Sequence, residues 1–262
     1  MPLRLIQVTD PHLFGDTRGA VRGIETLPAL QRVLAHATTH EPPPDAWLVT
    51  GDLVQDDPGG YPHFRRCFMG LGRPVLCLPG NHDEPAIMRQ ALAGEPFRLG
   101  GTIDLGAWRI VLLDSTRPGA AGGRLAPGEL QRLDTALAGA PDLHALVCLH
   151  HHPVSMSSRW LDRVGLENPG DLFEILDRHR PLRAVVWGHV HQSFEQLRKG
   201  VRLLATPSTC AQFLPGADDF AIDARPPAYR TLELREDGSI LTRVTWVEAC
   251  ASGSPRSACS VA

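Results

Sequence analysis

Five short segments of the chain carry side chains that bind metal ions. They are Asp10-Pro11-His12, Gly51-Asp52, Gly80-Asn81-His82-Asp83, His150-His151-His152-Pro153, and the pair His189 and His191 in Gly188-His189-Val190-His191. Nearly all follow an apolar run of strand length. Strand ends placed this way deliver imidazoles, carboxylates and one amide to a common edge. Two cations held at such an edge hydrolyse phosphate esters.

Each segment contributes in a different way. Asp10 and His12 flank Pro11, and in an extended segment side chains two apart share a face. The same spacing pairs His189 with His191. Asp52 has two carboxylate oxygens and can bridge cations roughly 3.5–4 Å apart. Asn81 offers a neutral carbonyl oxygen. His150, His151 and His152 follow an apolar run that reads as buried, where imidazoles need partners. Alternation lets His150 and His152 share a face but excludes all three from one site. Any single segment has an ordinary explanation, such as a turn aspartate, a helix cap or a solvated histidine. Five of them at five strand ends do not. His36, His40, His63, His144 and His179 fall in helical or loop contexts and are assigned no chemistry. An oxygen-plus-imidazole set without thiolate favours manganese, iron, cobalt or zinc over calcium or magnesium alone.

The elements that position these residues follow from the apolar pattern. Strand-length runs occupy residues 3–8, 47–49, 75–78, 110–113, 145–149 and 184–187, most ending in Gly, Pro, Asp or His. Helical spacing of apolar residues marks 25–40, 127–138 and 171–179, with Pro127 where a helix can start. Pro42, Pro43 and Pro44 stop the first helix. From about residue 201 helical pattern is absent. Strands are expected at 201–205, 229–234 and 240–247, the last two joined by a turn at Asp237-Gly238. The pattern predicts alternating strand–helix units, then an antiparallel set that closes a second sheet. The fold class expected is α/β (α+β), with two sheets between helical layers.

Composition sets the outer bounds. The chain has 262 residues, 43% hydrophobic and 21% charged, as in ordinary globular proteins. One catalytic domain is expected over residues 1–248, followed by a disordered tail at 249–262. A net charge of −3 without a long basic run argues against general nucleic-acid binding. No stretch approaches the roughly 20 apolar residues of a membrane span. The N-terminus leads straight into a strand and a ligand motif, which points to a cytoplasmic protein. The six cysteines lack Cys-x-x-Cys spacing and are expected to be reduced.

Taken together, these residues resemble the calcineurin-like metallophosphoesterases. Asp-x-His, Gly-Asp, Gly-Asn-His-Asp, His and Gly-His-x-His match in order and spacing from Asp10 to His191. Within that family the chain is most similar to the bacterial class III cyclic 3′,5′-AMP phosphodiesterases. The likeness rests on residues 51–56, the triple histidine, and two later segments at 207–213 and 218–223. The Ser/Thr protein phosphatases carry Gly-Asp-x-x-Asp-Arg-Gly and Gly-Asn-His-Glu. Here Gln55-Asp56-Asp57 leaves no phosphate-gripping arginine, and Asp83 replaces the glutamate.

The resemblance implies a four-layer αββα sandwich of two mixed sheets, with a dimetal site at strand C-terminal ends. It implies one metal on Asp10, His12, Asp52 and His191, and a second on Asp52, Asn81, His150 and His189. Iron and manganese are the expected metals, with zinc and cobalt compatible. His82 and Asp83 are the implied catalytic pair, His82 acting on phosphate or departing oxygen and Asp83 orienting it. His12, Asn81, His82 and His191 are the implied substrate contacts. The expected reaction is attack of a metal-bridging hydroxide on 3′,5′-cyclic AMP, giving 5′-AMP and lowering the second-messenger level. The alternative is a broader phosphodiesterase acting on 2′,3′-cyclic nucleotides, glycerophosphodiesters or nucleic-acid ends. Residues 209–220 are expected to lie over the site. Phe213 and Phe194 are candidate base platforms, although the core is the favoured place for both.

Overall fold

Apolar runs without polar alternation must be covered on both faces. The computed structural model, which describes residues 2–248, meets that demand with two six-stranded sheets packed against each other. Twelve strands build them: β1 (Leu3–Val8), β2 (Ala46–Thr50), β3 (Val75–Leu78), β4 (Phe97–Leu99), β5 (Gly101–Leu105), β6 (Trp108–Leu112), β7 (His144–Cys148), β8 (Leu182–Trp187), β9 (Phe194–Arg198), β10 (Val201–Ala205), β11 (Ala228–Leu234) and β12 (Ile240–Trp246). The first sheet runs β12–β11–β1–β2–β3–β4, and the second β9–β10–β8–β7–β6–β5. Strands β1 to β4 are mutually parallel, as are β10, β8, β7 and β6. Antiparallel strands flank each parallel set.

Helices cover the outer faces. They are α1 (Thr26–His40), α2 (Tyr61–Met69), α3 (Pro85–Ala91), α4 (Pro127–Ala138), α5 (Arg159–Asp162) and α6 (Pro169–Leu176). Strand alternation sorts the side chains into three apolar layers. Ile6, Val8, Trp47, Val49 and Cys77 meet α1 and α2 through Leu30, Val33, Phe64 and Phe68. Val111, Val147, Val185 and Trp187 meet α4 and α6 through Leu133, Leu137 and Leu172. Leu5, Leu48, Leu76, Ile110, Leu112, Leu146 and Val186 fill the space between the sheets. The molecule is therefore the expected αββα sandwich.

The last antiparallel strands correct one expectation. They do not close the second sheet. β11 pairs with β1 and extends the first sheet, while β10 lies parallel to β8 in the second. Pairing partners this distant in sequence leave no local trace. The turn at Asp237-Gly238 is present, with Gly238 at φ 82°. Cys67, Cys77, Cys148 and Cys210 are free thiols. The tail expected to be disordered, with Cys250 and Cys259, lies outside the described residues.

A buried polar seam joins the sheets near the carboxyl ends of β1, β2 and β8. Gln7 on β1 donates to Thr50 Oγ1 (2.9 Å) and to the Trp187 carbonyl (3.3 Å), and accepts from Thr206 Oγ1 (2.7 Å). Arg230 donates to Thr206 Oγ1, Thr242 Oγ1 and the Ala205 carbonyl. Burial lowers the Arg230 guanidinium to about 10. Leu146, fully buried between the sheets, supplies a test of the inter-sheet layer. Leu146→Ala is expected to cost about 2–5 kcal/mol of folding stability, read as a lower urea midpoint.

Candidate metal centre

The carboxyl ends of β1, β2, β3, β7 and β8 point to the same edge and end within one or two residues of the sequence motifs. Backbone pairing continues past the strands: the amides of Asp10, His12 and Leu13 donate to the carbonyls of Gly51, Asp52 and Leu53, each at 3.0 Å. The chain there is not extended. Asp10 (φ 51°), His12 (47°), Asp52 (51°), Asp56 (52°), His189 (65°) and His191 (48°) all adopt left-handed backbone. Such conformations are costly for L-residues, on the order of 1–3 kcal/mol each, and collect at functional sites. The pairing of Asp10 with His12, and of His189 with His191, thus comes from left-handed curls after the strands, not from strand alternation.

Two glycines permit the close approach. A Cβ on Gly80 would strike the Asp52 carboxylate, and one on Gly188 would strike Thr9 Oγ1 and the Asp10 carboxylate. Each of these glycines stands directly before a ligand-type residue.

Hydrogen bonds fix which imidazole nitrogens face inward. His150 Nδ1 lies 2.8 Å from the Thr50 carbonyl, His191 Nδ1 2.7 Å from the Ala211 carbonyl, and His189 Nε2 3.0 Å from the Val164 carbonyl. A carbonyl only accepts, so in the neutral imidazoles those nitrogens carry the proton and the opposite ones are bare. His150 Nε2 then faces His189 Nδ1 (3.2 Å), Asn81 Oδ1 (3.3 Å) and Asp52 Oδ2 (3.3 Å). His191 Nε2 faces His12 Nε2 (3.1 Å) and Asp10 Oδ1 (3.4 Å). Asp52 Oδ2 also lies 3.7 Å from His12 Nε2, so its carboxylate stands between the two groups.

Lone pairs that face one another at such distances repel unless a positive charge sits among them. Within the protein that charge is a proton. Burial lowers His150, but Asp52 beside it prevails and raises the imidazole to about 9. Burial raises Asp52, yet His150 holds it well below the usual carboxylate range. Asp10 is likewise lowered against burial, by His191 and His150. Burial carries His12 down to about 4 and His189 well below the ordinary imidazole value. His12 Nδ1 is buried without a partner. The same geometry suits cations. Asp10, His12 and His191 bring donor atoms within 4.8 Å of one another, and so do His12, Asp52 and His82, and Asp10, Asp52 and His150.

A family model described as calcineurin-like phosphoesterase matches residues 3–193. The chain belongs to the calcineurin-like phosphoesterase family. It is 41% identical over 245 residues to a Pseudomonas aeruginosa protein named 3′,5′-cyclic adenosine monophosphate phosphodiesterase CpdA, covering 93% of this chain and 90% of that one. The Escherichia coli (strain K12) protein of the same name is 38% identical, over 92% and 89% of the two chains. A Nostoc protein named 3′,5′-cyclic-nucleotide phosphodiesterase is 34% identical, over 93% and 92%. In fold, the chain is similar to a dimetal phosphatase from Danio rerio, with a TM-score of 0.66 at 14% identity, over 92% and 99% of the two chains. The family uses a dinuclear metal centre, and the Asp and His clusters of this chain can bind metal ions.

All seven residues expected as ligands meet at this edge. Three other expectations change. Asp83 does not orient His82. Its carboxylate accepts from the amides of Leu53, Val54 and Gly80 and from the Tyr61 hydroxyl. Burial, then the Asp52 charge, push Asp83 up to about 7. The group on His82 Nδ1 is Asp56, at 2.8 Å, with Gln55 bridging to both. The left-handed turn at Asp56 brings its side chain around to His82. Second, strand alternation does not govern the triple histidine, because β7 ends at Cys148. His151 bonds Ser115 Oγ at 2.8 Å and joins His150 and His189, while the His152 ring stacks on His189 at 5.7 Å. Third, both candidate base platforms already pack on a ring of the protein. Phe213 lies flat on His191, with ring centroids 4.1 Å apart, and Phe194 packs on Trp187. The segment at 209–220 does border the site, since Ala211 holds His191 and the Thr209 amide donates to the Thr9 carbonyl.

Two substitutions separate the aspartates. Asp56→Asn, at an exposed position where asparagine accepts left-handed backbone, is expected to lower turnover roughly tenfold with little change in melting temperature. Asp83→Asn turns an amide toward buried donors and is expected to cost about 1–3 kcal/mol of stability, with loss of bound metal. Thermal melts, metal analysis and kinetics on both variants check the assignment. A stable, metal-replete Asp83→Asn protein with depressed turnover would restore the orienting role.

Proposed function

We propose that the chain is a metal-dependent phosphodiesterase that opens 3′,5′-cyclic AMP to 5′-AMP and so lowers second-messenger concentration. The observation that carries the reading is the convergence of inward-facing imidazole nitrogens and two carboxylates around two adjoining points. It is supported by likeness, over more than nine-tenths of the chain, to relatives named as cyclic AMP phosphodiesterases. Residues 1–248 are read as one catalytic domain acting in the cytoplasm.

One cation is assigned to Asp10, His12, Asp52 and His191, the other to Asp52, Asn81, His150 and His189, with iron or manganese as the metals. When bound, the pair neutralises the phosphoryl oxygens and acidifies a water molecule. The protein residues do the rest. The backbone carbonyls of Thr50, Val164 and Ala211 hold three imidazoles in the tautomer that presents a lone pair inward. Asp52 tethers the His82 loop by accepting its amide (2.9 Å). His82, held at Nδ1 by Asp56, presents its other nitrogen to the substrate and donates a proton to the 3′ oxygen as the P–O3′ bond breaks. Water adds to phosphorus, and the ring opens without loss of any fragment.

The deciding experiment is hydrolysis of 3′,5′-cyclic AMP by protein reconstituted with Mn²⁺ or Fe²⁺, beside 2′,3′-cyclic AMP and bis(p-nitrophenyl) phosphate. Selective formation of 5′-AMP is expected. Good turnover of the synthetic diester with neither cyclic nucleotide would discard the substrate and keep the chemistry. His82→Ala is expected to lower kcat by about 10²-fold or more with metal content near that of the parent. Asp52→Ala is expected to lose metal and activity together, by elemental analysis and assay. A two-metal Asp52→Ala protein would contradict the bridging assignment.

A further inference from the structure

The residues of the centre are not equally open. Asp10, His12, Asp52, His150, His189 and His191 are buried, while Asn81 and His82 keep exposed surface. A substrate must therefore reach the centre across Asn81 and His82. Those two residues line a cleft of about 530 Å³, within the roughly 300–1,000 Å³ typical of small-ligand sites. The cleft continues beyond His82 between the proline rings at 58, 85 and 118.

Charge orients what enters. Asp56, Asp57 and Glu84 line the walls, and Arg117 is the single Lys or Arg among the lining residues. Carboxylate walls disfavour a second phosphate, so the cleft suits the uncharged half of a monoester or cyclic diester rather than a polynucleotide chain. Arg117 forms an ion pair with Glu167, and its guanidinium is planar. Such a plane stacks on aromatic rings. The proton from His82 goes to the 3′ oxygen, and that oxygen stays on the ribose. The ribose must then lie on the His82 side, at the mouth of this same cleft.

We infer that this cleft is the nucleoside subsite of the cyclic-nucleotide reaction proposed above, with Arg117 as the plane on which the base lies. The inference rests on that reaction, and its test reads binding apart from turnover. Calorimetry on the Mn²⁺-loaded protein compares 5′-AMP with ribose 5-phosphate, which lacks the base. The parent protein is expected to bind 5′-AMP about tenfold more tightly. Arg117→Ala removes that preference and raises KM for cyclic AMP more than it lowers kcat. Arg117→Lys keeps the charge without the plane and gives the same defect.

An unchanged 5′-AMP preference in both variants would overturn the subsite. Full rescue by lysine would overturn the stacking role. A parent protein without cyclic AMP turnover, whose 5′-AMP preference still depends on Arg117, would overturn the reaction and uphold the subsite.

Discussion

Mutual repulsion among inward-facing acceptors is the interaction around which this molecule is organised. While the imidazoles are neutral and the backbone carbonyls hold their outer protons, His150 Nε2, His189 Nδ1, Asn81 Oδ1 and Asp52 Oδ2 meet with no hydrogen-bond donor among them. Burial makes that repulsion stronger, because solvent does not screen it. A proton on His150 relieves one point of the cluster; a metal ion relieves it with a larger charge and more directions of contact. The arrangement exists only because the scaffold opposes its tendency to fly apart.

The scaffold does so with several devices at once. Left-handed backbone at six site residues turns side chains back over the strand ends. Gly80 and Gly188 let adjoining loops approach to contact. Asp83 ties the loop after β2 to the loop after β3 through three amides and a tyrosine hydroxyl. Beneath them, Gln7 and Arg230 cross-link the sheets where apolar packing gives way to the polar edge. Each device is modest in energy. Together they keep the donor atoms in register.

Much of this was legible in the sequence because ligand chemistry is local. An aspartate, asparagine or histidine directly after an apolar run can be recognised without knowing what the run pairs with. The strands at 3–8 and 75–78 and the helix at 127–138 were read at their observed bounds for the same reason. What escaped depends on distant partners or on backbone torsion. The placement of β11 beside β1 is set by a contact across more than two hundred residues. Helices α2 and α3 are short, and Tyr61–Met69 is rich in aromatic and basic residues, so neither shows a sustained period. The exchange of Asp83 for Asp56 as the partner of His82 turns on one positive φ, and residue type alone does not encode it.

The division of the ligand-type residues between the two sheets has a consequence for how the protein comes into being. Asp10, His12, Asp52 and Asn81 follow strands of the first sheet, and His150, His189 and His191 follow strands of the second. Neither sheet alone gathers the set. The centre is therefore complete only when the two halves are docked through their shared apolar layer. A cation that then binds residues of both sheets acts as a clasp, opposing their separation in proportion to its own affinity. Resistance to unfolding and competence for chemistry are thereby joined in one step of maturation.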